Sequence, residues 1–203
     1  HKALRLFTAG SGESFGDTRG VPVVETTPFM PCSPYATAKV AAANLVKNYR
    51  DAYNIFACTG YLFNHESPLR PVHFVTQKIC QAARDIASGK SGRLELGNIN
   101  IIRDWGYAPD YVDAMCRMLE ADSPEDYVIA TGSSRPLSDF IGLAFSEVGL
   151  NWQDYVVSSD KFMRPTDIAA IYADPSKIAH KLGWRATHLL EPLVHEMMRY
   201  QPA

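Results

Sequence analysis

Two pairs of side chains near the start of the chain have the types and spacing for acid–base chemistry. Tyr35 and Lys39 stand four residues apart in "SPYATAKVAAANLV", which puts both on one face of a helix. An ammonium beside a phenol favours the phenolate, and the same ammonium can bond a ribose hydroxyl. Some two dozen residues earlier, Ser11 and Glu13 follow a short apolar run in "LRLFTAGSGESFG". The end of a strand is where open α/β sheets place their ligands. Taken singly, these four read equally as solvated helix residues, a turn serine and a loop acid. Taken together, as Ser-x-Glu followed by Tyr-xxx-Lys with a proline just before the tyrosine, they point to a catalytic site.

The elements that must hold these residues follow from the hydrophobic pattern. Leu4 to Ala9 reads as a short buried strand. Ser33 can N-cap a helix with Pro34 in its first turn. Ala36, Val40, Ala43 and Val46 carry the helical spacing on to about Tyr53. "IFACTGYLF" is an apolar run of strand length, buried on both faces if it lies in a parallel sheet, and "NHESPLRP" is a polar loop ending it. Helical spacing resumes from Phe74 to about Ala87, where Gly89 stops it. "RLELGNINIIRDWGYAPDYVDAMCRMLEAD" divides into a strand, a turn, a second strand and a helix from about Pro109. "EDYVIATG" is a further strand, "RPLSDFIGLAFSEVG" a helix, "DPSKIAHKLGW" a short helix and "LEPLVHEMMRY" an amphipathic one. Strands alternating with helices predict an α/β fold. A composition shift near residue 64 marks the expected division: 1–63 as part of a cofactor-binding domain, and 64–203 as mainly substrate-binding, with some segments returning to the first sheet.

Bulk composition narrows the class. The 203 residues are 46% hydrophobic and 21% charged with a net charge of −2, which is ordinary for one globular core and gives no electrostatic reason to bind nucleic acid or an anionic membrane. No apolar run is long enough to span a bilayer. The four cysteines, Cys32, Cys58, Cys80 and Cys116, are scattered and contain no CxxC pair, so they read as buried thiols of a cytoplasmic protein. The histidines show no metal-ligand spacing.

Seven segments give the sequence a family likeness: "SPYATAK", "NYRDAYN", "GYLFNHESP", "RDWGYAPDYV", "PEDYVIATG", "RPTD" and "DPSKIAHKLGW". With these the chain resembles the extended short-chain dehydrogenase/reductases, and within them the GDP-mannose 4,6-dehydratase family. The resemblance implies a Rossmann-type parallel sheet with a smaller C-terminal α/β substrate-binding domain. It also implies that the N-terminal dinucleotide-binding half is missing, since the glycine-rich phosphate turn of that half occurs nowhere in the sequence. The expectation follows that this chain by itself does not turn over.

The implied reaction removes water from GDP-mannose with NADP reduced and reoxidised in each turnover. Tyr35, Lys39 and Ser11 would handle the proton of the 4-hydroxyl, and Glu13 the C5 proton and the departing 6-hydroxyl. By motif position the resemblance assigns Tyr35, Lys39, His65 and Arg70 to the cofactor. Asn64, Val75, Lys78, Arg103, Arg164 and Asp167 fall to the GDP-sugar, with Asp167 where the family usually has Glu. It implies a homo-oligomer, dimer or tetramer, formed partly through the helix bearing Tyr35. The chain departs from the family in having Gly10 and Gly12 around Ser11, two glycines expected to loosen the loop. Leu69, Pro71 and Gln77 depart from it near the expected cofactor site. A related GDP-sugar reductase or epimerase, or a catalytically silent sugar-nucleotide-binding module, stand as the alternatives; a C5 base such as Glu13 has no use in a simple reductase.

Overall fold

The computed structural model describes residues 4–163 and 168–199. Its first sheet is parallel, with strand order β1 (Arg5–Ser11), β2 (Phe56–Leu62), β6 (Tyr127–Ile129). Between β1 and β2 runs the helix α1 (Pro34–Tyr53). Ser33 caps it, its hydroxyl accepting from Ala36 N at 3.1 Å. Parallel neighbours need such a crossover, and it covers one face of the sheet.

Side chains of β2 alternate between two cores. Tyr61 and Phe63 pack with Phe15, Ala43 and Val128. Cys58 and Leu62 pack on the opposite face with Tyr111, Met118, Ile178 and Trp184, from the helices α3 (Ala108–Glu120) and α5 (Ser176–Leu182) and the segment after α5. Burial on both faces is why this strand reads as a continuous apolar run. Arg50 near the end of α1 donates both terminal nitrogens to the Asp126 carboxylate, each at 2.8 Å, and Asp126 also accepts from Thr59 N at 2.7 Å. One carboxylate thus ties helix, β2 and the start of β6 together.

A second sheet has β5 (Ile102–Tyr107) at its centre. The strand β3 (Asn64–Glu66) lies parallel to it and β7 (Ser134–Pro136) antiparallel. A third pairs β4 (Leu94–Leu96) with β8 (Val156–Ser158). Against these the helices α2 (Val75–Ala87), α4 (Leu137–Ser146) and α6 (Leu190–Arg199) enclose a core of Ile79, Ala83, Trp105, Phe140, Leu193 and Met197. The segment leaving β2 passes straight into β3, so the two sheets are joined within a few residues, at the place where ligands bind in such folds. No helix among the described residues is long and apolar enough to cross a membrane.

The structure corrects several expectations. β1 is an edge strand among the described residues, and its start is open: Leu6 is 42% exposed, and Leu4, just before the strand, 84%. "NHE" is a strand and not a loop, because it pairs in parallel with β5, in register with Trp105, Gly106 and Tyr107. β8 had no signal of its own, being three residues long. Cys58 and Cys80 are buried, and burial pushes their thiols up to about 11 and about 12, which makes them inert. Cys32 and Cys116 are exposed instead.

Candidate active site

The two pairs singled out in the sequence come together where β1 ends. Ser11 is the last residue of the strand, 7% exposed, and its hydroxyl accepts from Glu13 N at 3.2 Å, capping a single 3-10 turn, Gly12–Phe15. That turn holds Glu13 at the surface. Across from it the first two turns of α1 present Tyr35, 54% exposed, and Lys39. The Lys39 ammonium lies 5.6 Å from the centroid of the Tyr35 ring and donates to Ala9 O at 2.9 Å. Helix and strand are thereby fixed to each other beside the phenol.

Gly10 and Gly12 do not loosen this corner. Gly10 is a strand residue in register with Tyr61. A Cβ there would stand 2.9 Å from Thr59 Cγ2 and from Tyr61 Cδ1, and 3.0 Å from Gly60 O. At Gly12 it would stand 3.0 Å from the Phe63 ring. The glycines are sites of close packing, which is the correction to the expected flexibility.

Two concavities share this region. The smaller, about 480 Å³, is lined by Ser11, Tyr35, Lys39 and His65 among others. The larger, about 640 Å³, takes in Val75 and Lys78 from the first turn of α2 together with Leu96, Trp105 and Phe162. Glu13, Asn64, Arg70, Phe74, Arg103 and Ile168 line both, so the two are lobes of one cleft with a common wall. Ten of the twelve residues singled out in the sequence meet here. Arg164 and Asp167 lie outside the described residues.

Each lobe has its own chemistry. α2 opens onto the larger one, and Phe74 at its start gives no side-chain cap, which leaves a helix N-terminus favourable to an anion. Lys78 donates to Glu95 O at 2.8 Å and lies 4.4 Å from the Phe162 ring centroid. Arg103 donates to Ile102 O at 2.8 Å. In the smaller lobe His65 stacks on Tyr111 with centroids 4.9 Å apart, and its Nδ1 lies 2.8 Å from Phe63 O. Burial lowers its tendency to take a proton, and Arg70 acts in the same direction against the Phe63 hydrogen bond. With Nδ1 donating to that carbonyl, Nε2 of the neutral ring is left as an acceptor. Of the departing residues, Leu69 is 76% exposed, while Gln77 is 1% exposed and is not among the residues lining either lobe.

Residues missed in the sequence are Glu66, Thr76 and Phe74. Glu66 is 2% exposed, accepts from Thr76 Oγ1 at 2.9 Å and pairs with Arg70. A period-two reading of "NHE" would have set Asn64 and Glu66 on one face and His65 on the other, which is the arrangement found. Asp104, fully buried, is a second concealed acid. Its carboxylate accepts from Thr131 N, Gly132 N and Ser133 N at 2.8, 2.8 and 3.1 Å. It thereby fixes the loop after β6 beside β5.

Comparison with known proteins adds a family to this geometry. A family model described as GDP-mannose 4,6 dehydratase matches residues 1–197. The chain is 47% identical over 197 residues to GDP-mannose 4,6 dehydratase 1 of Arabidopsis thaliana, covering 97% of this chain and 54% of that protein. Against the human GDP-mannose 4,6 dehydratase it is 38% identical over 213 residues, covering 97% and 57%. The chain thus spans about half the length of these curated relatives. Among solved structures, RMD from Pseudomonas aeruginosa complexed with NADPH aligns with a TM-score of 0.85 at 20% identity, covering 95% of this chain and 63% of that one. A dTDP-glucose 4,6-dehydratase from Bacillus anthracis in complex with NAD aligns at 0.84 and 18%, covering 96% and 60%. At such identities the likeness is one of fold, the α/β Rossmann-like architecture described above.

Proposed function

The chain belongs to the GDP-mannose 4,6-dehydratase family, and on that premise we propose that it carries the acid–base groups and sugar-nucleotide site of an enzyme converting GDP-mannose to GDP-4-keto-6-deoxymannose and water. The observation that supports this most is the position of Glu13 on the wall common to both lobes. A base that must reach one sugar carbon while a neighbouring carbon faces the cofactor has to stand at such a junction.

The donors lining the smaller lobe fit a dinucleotide: a phenol, an ammonium and a guanidinium stand together with a hydroxyl. Tyr35, Lys39, His65 and Arg70 would hold NADP there. Bound there, the cofactor would supply the redox chemistry at C4 and C6. Tyr35, supported by Lys39 and Ser11, takes the proton of the 4-hydroxyl. A ketone at C4 acidifies the C5 proton, which Glu13 removes and passes to the 6-hydroxyl so that it leaves as water. The proton held on Tyr35 then replaces the one Glu13 gave up, Glu13 returns a proton to C5, and the balance closes.

Asn64, Val75, Lys78 and Arg103 hold the GDP-sugar in this reading, with the diphosphate against the N-terminus of α2. Arg164 and Asp167 belong to the same set. The reading includes a homo-oligomer and a cytoplasmic location. The outer face of α1 supports the oligomer, because Leu45, Tyr49 and Tyr53 recur every four residues there and are 58, 55 and 69% exposed.

The test isolates Glu13 from hydride transfer. GDP-4-keto-6-deoxymannose is incubated with the chain in deuterium oxide, and deuterium at C5 is followed by NMR, which separates it from exchange at C3. Enzyme-dependent exchange at C5 is expected, with a loss of about a hundredfold or more in Glu13→Gln, the size of a removed general base. Exchange no faster than in buffer, with the ligand shown to bind, would leave a silent binding module. Exchange that survives Glu13→Gln would remove the argument against a reductase or epimerase.

A further inference from the structure

In the lining of the larger lobe, beside the wall it shares with the smaller, is a carboxyl group that the mechanism above does not use. Glu66 ends β3 and is 2% exposed. Burying a carboxylate is costly unless its charge and lone pairs find partners. Glu66 has two. Thr76 Oγ1 donates to its Oε2 at 2.9 Å, and Arg70 Nε lies 3.1 Å from the same oxygen. The Arg70 contact is an ion pair without hydrogen-bond alignment, since that Nε has no aligned acceptor. Burial pushes the Glu66 carboxyl up, while Arg70 and then Thr76 draw it back toward ionisation.

The same arginine is held from its other side. Its guanidinium carbon stands 3.7 Å from the centroid of the Phe74 ring, a contact that suits a planar cation. The chain between Glu66 and Arg70 is a tight turn, with Arg70 N donating to Ser67 O at 3.0 Å and Leu69 N to Ser67 Oγ at 3.2 Å. Pro68 and Pro71 bracket its second half. Carboxylate, ring face and turn leave the guanidinium little freedom, yet its side chain stays 30% exposed and lines both lobes.

We infer that Glu66 is a positioning residue. Through its ion pair with Arg70 it fixes the guanidinium at the cleft wall, where the terminal N–H groups meet the anionic part of a dinucleotide. The role rests on the cofactor reading given under Proposed function. Its energetic basis is preorganisation: a guanidinium already restrained loses less side-chain freedom on binding a phosphate. Thr76 acts one step further back, through the carboxylate it bonds.

The inference is tested with the 203-residue chain and two probes, NADPH followed by its own fluorescence and GDP followed by calorimetry. Glu66→Gln keeps the shape and removes the charge. It is expected to weaken NADPH about tenfold, near the value of one charge-assisted contact, and to leave GDP within about twofold. In an Arg70→Gln background the same change should add nothing, because the effect runs through Arg70. Should Glu66→Gln not fold, Thr76→Val is expected to lower NADPH affinity a few-fold by the same route, and again to do nothing once Arg70 is Gln. Equal weakening of both probes, independent addition of the two losses, or wild-type affinity in the variants would overturn the positioning role alone. No binding of NADPH by the wild-type chain would overturn the cofactor reading, and this inference with it.

Discussion

Replacing Gly10 by Ser sets two expectations against each other with opposite signs. If the glycine merely loosens a loop, a side chain there removes freedom from the unfolded chain and stabilises by about 0.4–1 kcal/mol. The packing around Gly10 says otherwise. A Cβ would stand 2.9 Å from Thr59 Cγ2 and Tyr61 Cδ1, and 3.0 Å from the Gly60 carbonyl oxygen. Ordinary contact begins several tenths of an ångström further out, and none of the three atoms can yield cheaply. One is backbone, one belongs to a stiff β-branched side chain, and one to a tyrosine ring that is 5% exposed. Overpacking of this kind costs about 1–3 kcal/mol. For a chain of about this length that lowers Tm by roughly 2–4 °C per kcal/mol, so a fall of roughly 2–12 °C is expected on thermal unfolding followed by circular dichroism. Ser11 follows directly and its hydroxyl caps the turn that carries Glu13, so the strain has to reach that turn, and the proposed C5 exchange rate should fall with the stability. An unchanged or raised Tm would refute the close-packing argument and restore the loosened loop.

Two further outcomes follow from other parts of the molecule. Asp110 at the start of α3 accepts from Thr187 N, Thr187 Oγ1 and His188 N at 2.9, 2.8 and 2.9 Å. Burial opposes its ionisation, but these hydrogen bonds, first that from His188 N, outweigh it and hold the carboxyl below its ordinary range. A depressed carboxyl stabilises the fold above its unfolded pKa of about 3.9, and that contribution is lost as pH falls through the folded value. Asp110→Asn should therefore cost about 1.5–3 kcal/mol near neutral pH. In urea titrations its difference from the wild type should shrink as pH falls through the lowered folded value; a gap independent of pH would count against the ionised role. On the outer face of α1, Tyr49→Lys with Leu45→Glu places charge where an apolar contact between copies is proposed. The variant should sediment as a smaller species than the wild type at the same concentration, and identical sedimentation would remove that helix from any interface.

Much of the site was legible because its signals are local. Tyr35 and Lys39 are set by helical spacing, Ser33 and Pro34 fix where that helix starts, and β2 announces itself by an unbroken apolar run. Each depends on neighbours within a few residues, and a sequence carries such information directly. The family motifs extended this to Asn64, His65, Arg70, Val75, Lys78 and Arg103, which the fold collects on one cleft. What only the tertiary structure decided lies in contacts between residues far apart in the chain. The segment "NHE" becomes a strand because β5, some forty residues later, presents backbone partners. Glu66 is a buried acid and not a solvated one because Thr76 and Arg70 close around it. Gly10 is tight and not loose because β2 lies directly against it. The sequence by itself determined which elements form and which residues could do chemistry. Burial and packing were decided by the fold, because the water a side chain loses and the atoms it meets depend on distant segments that no local pattern contains.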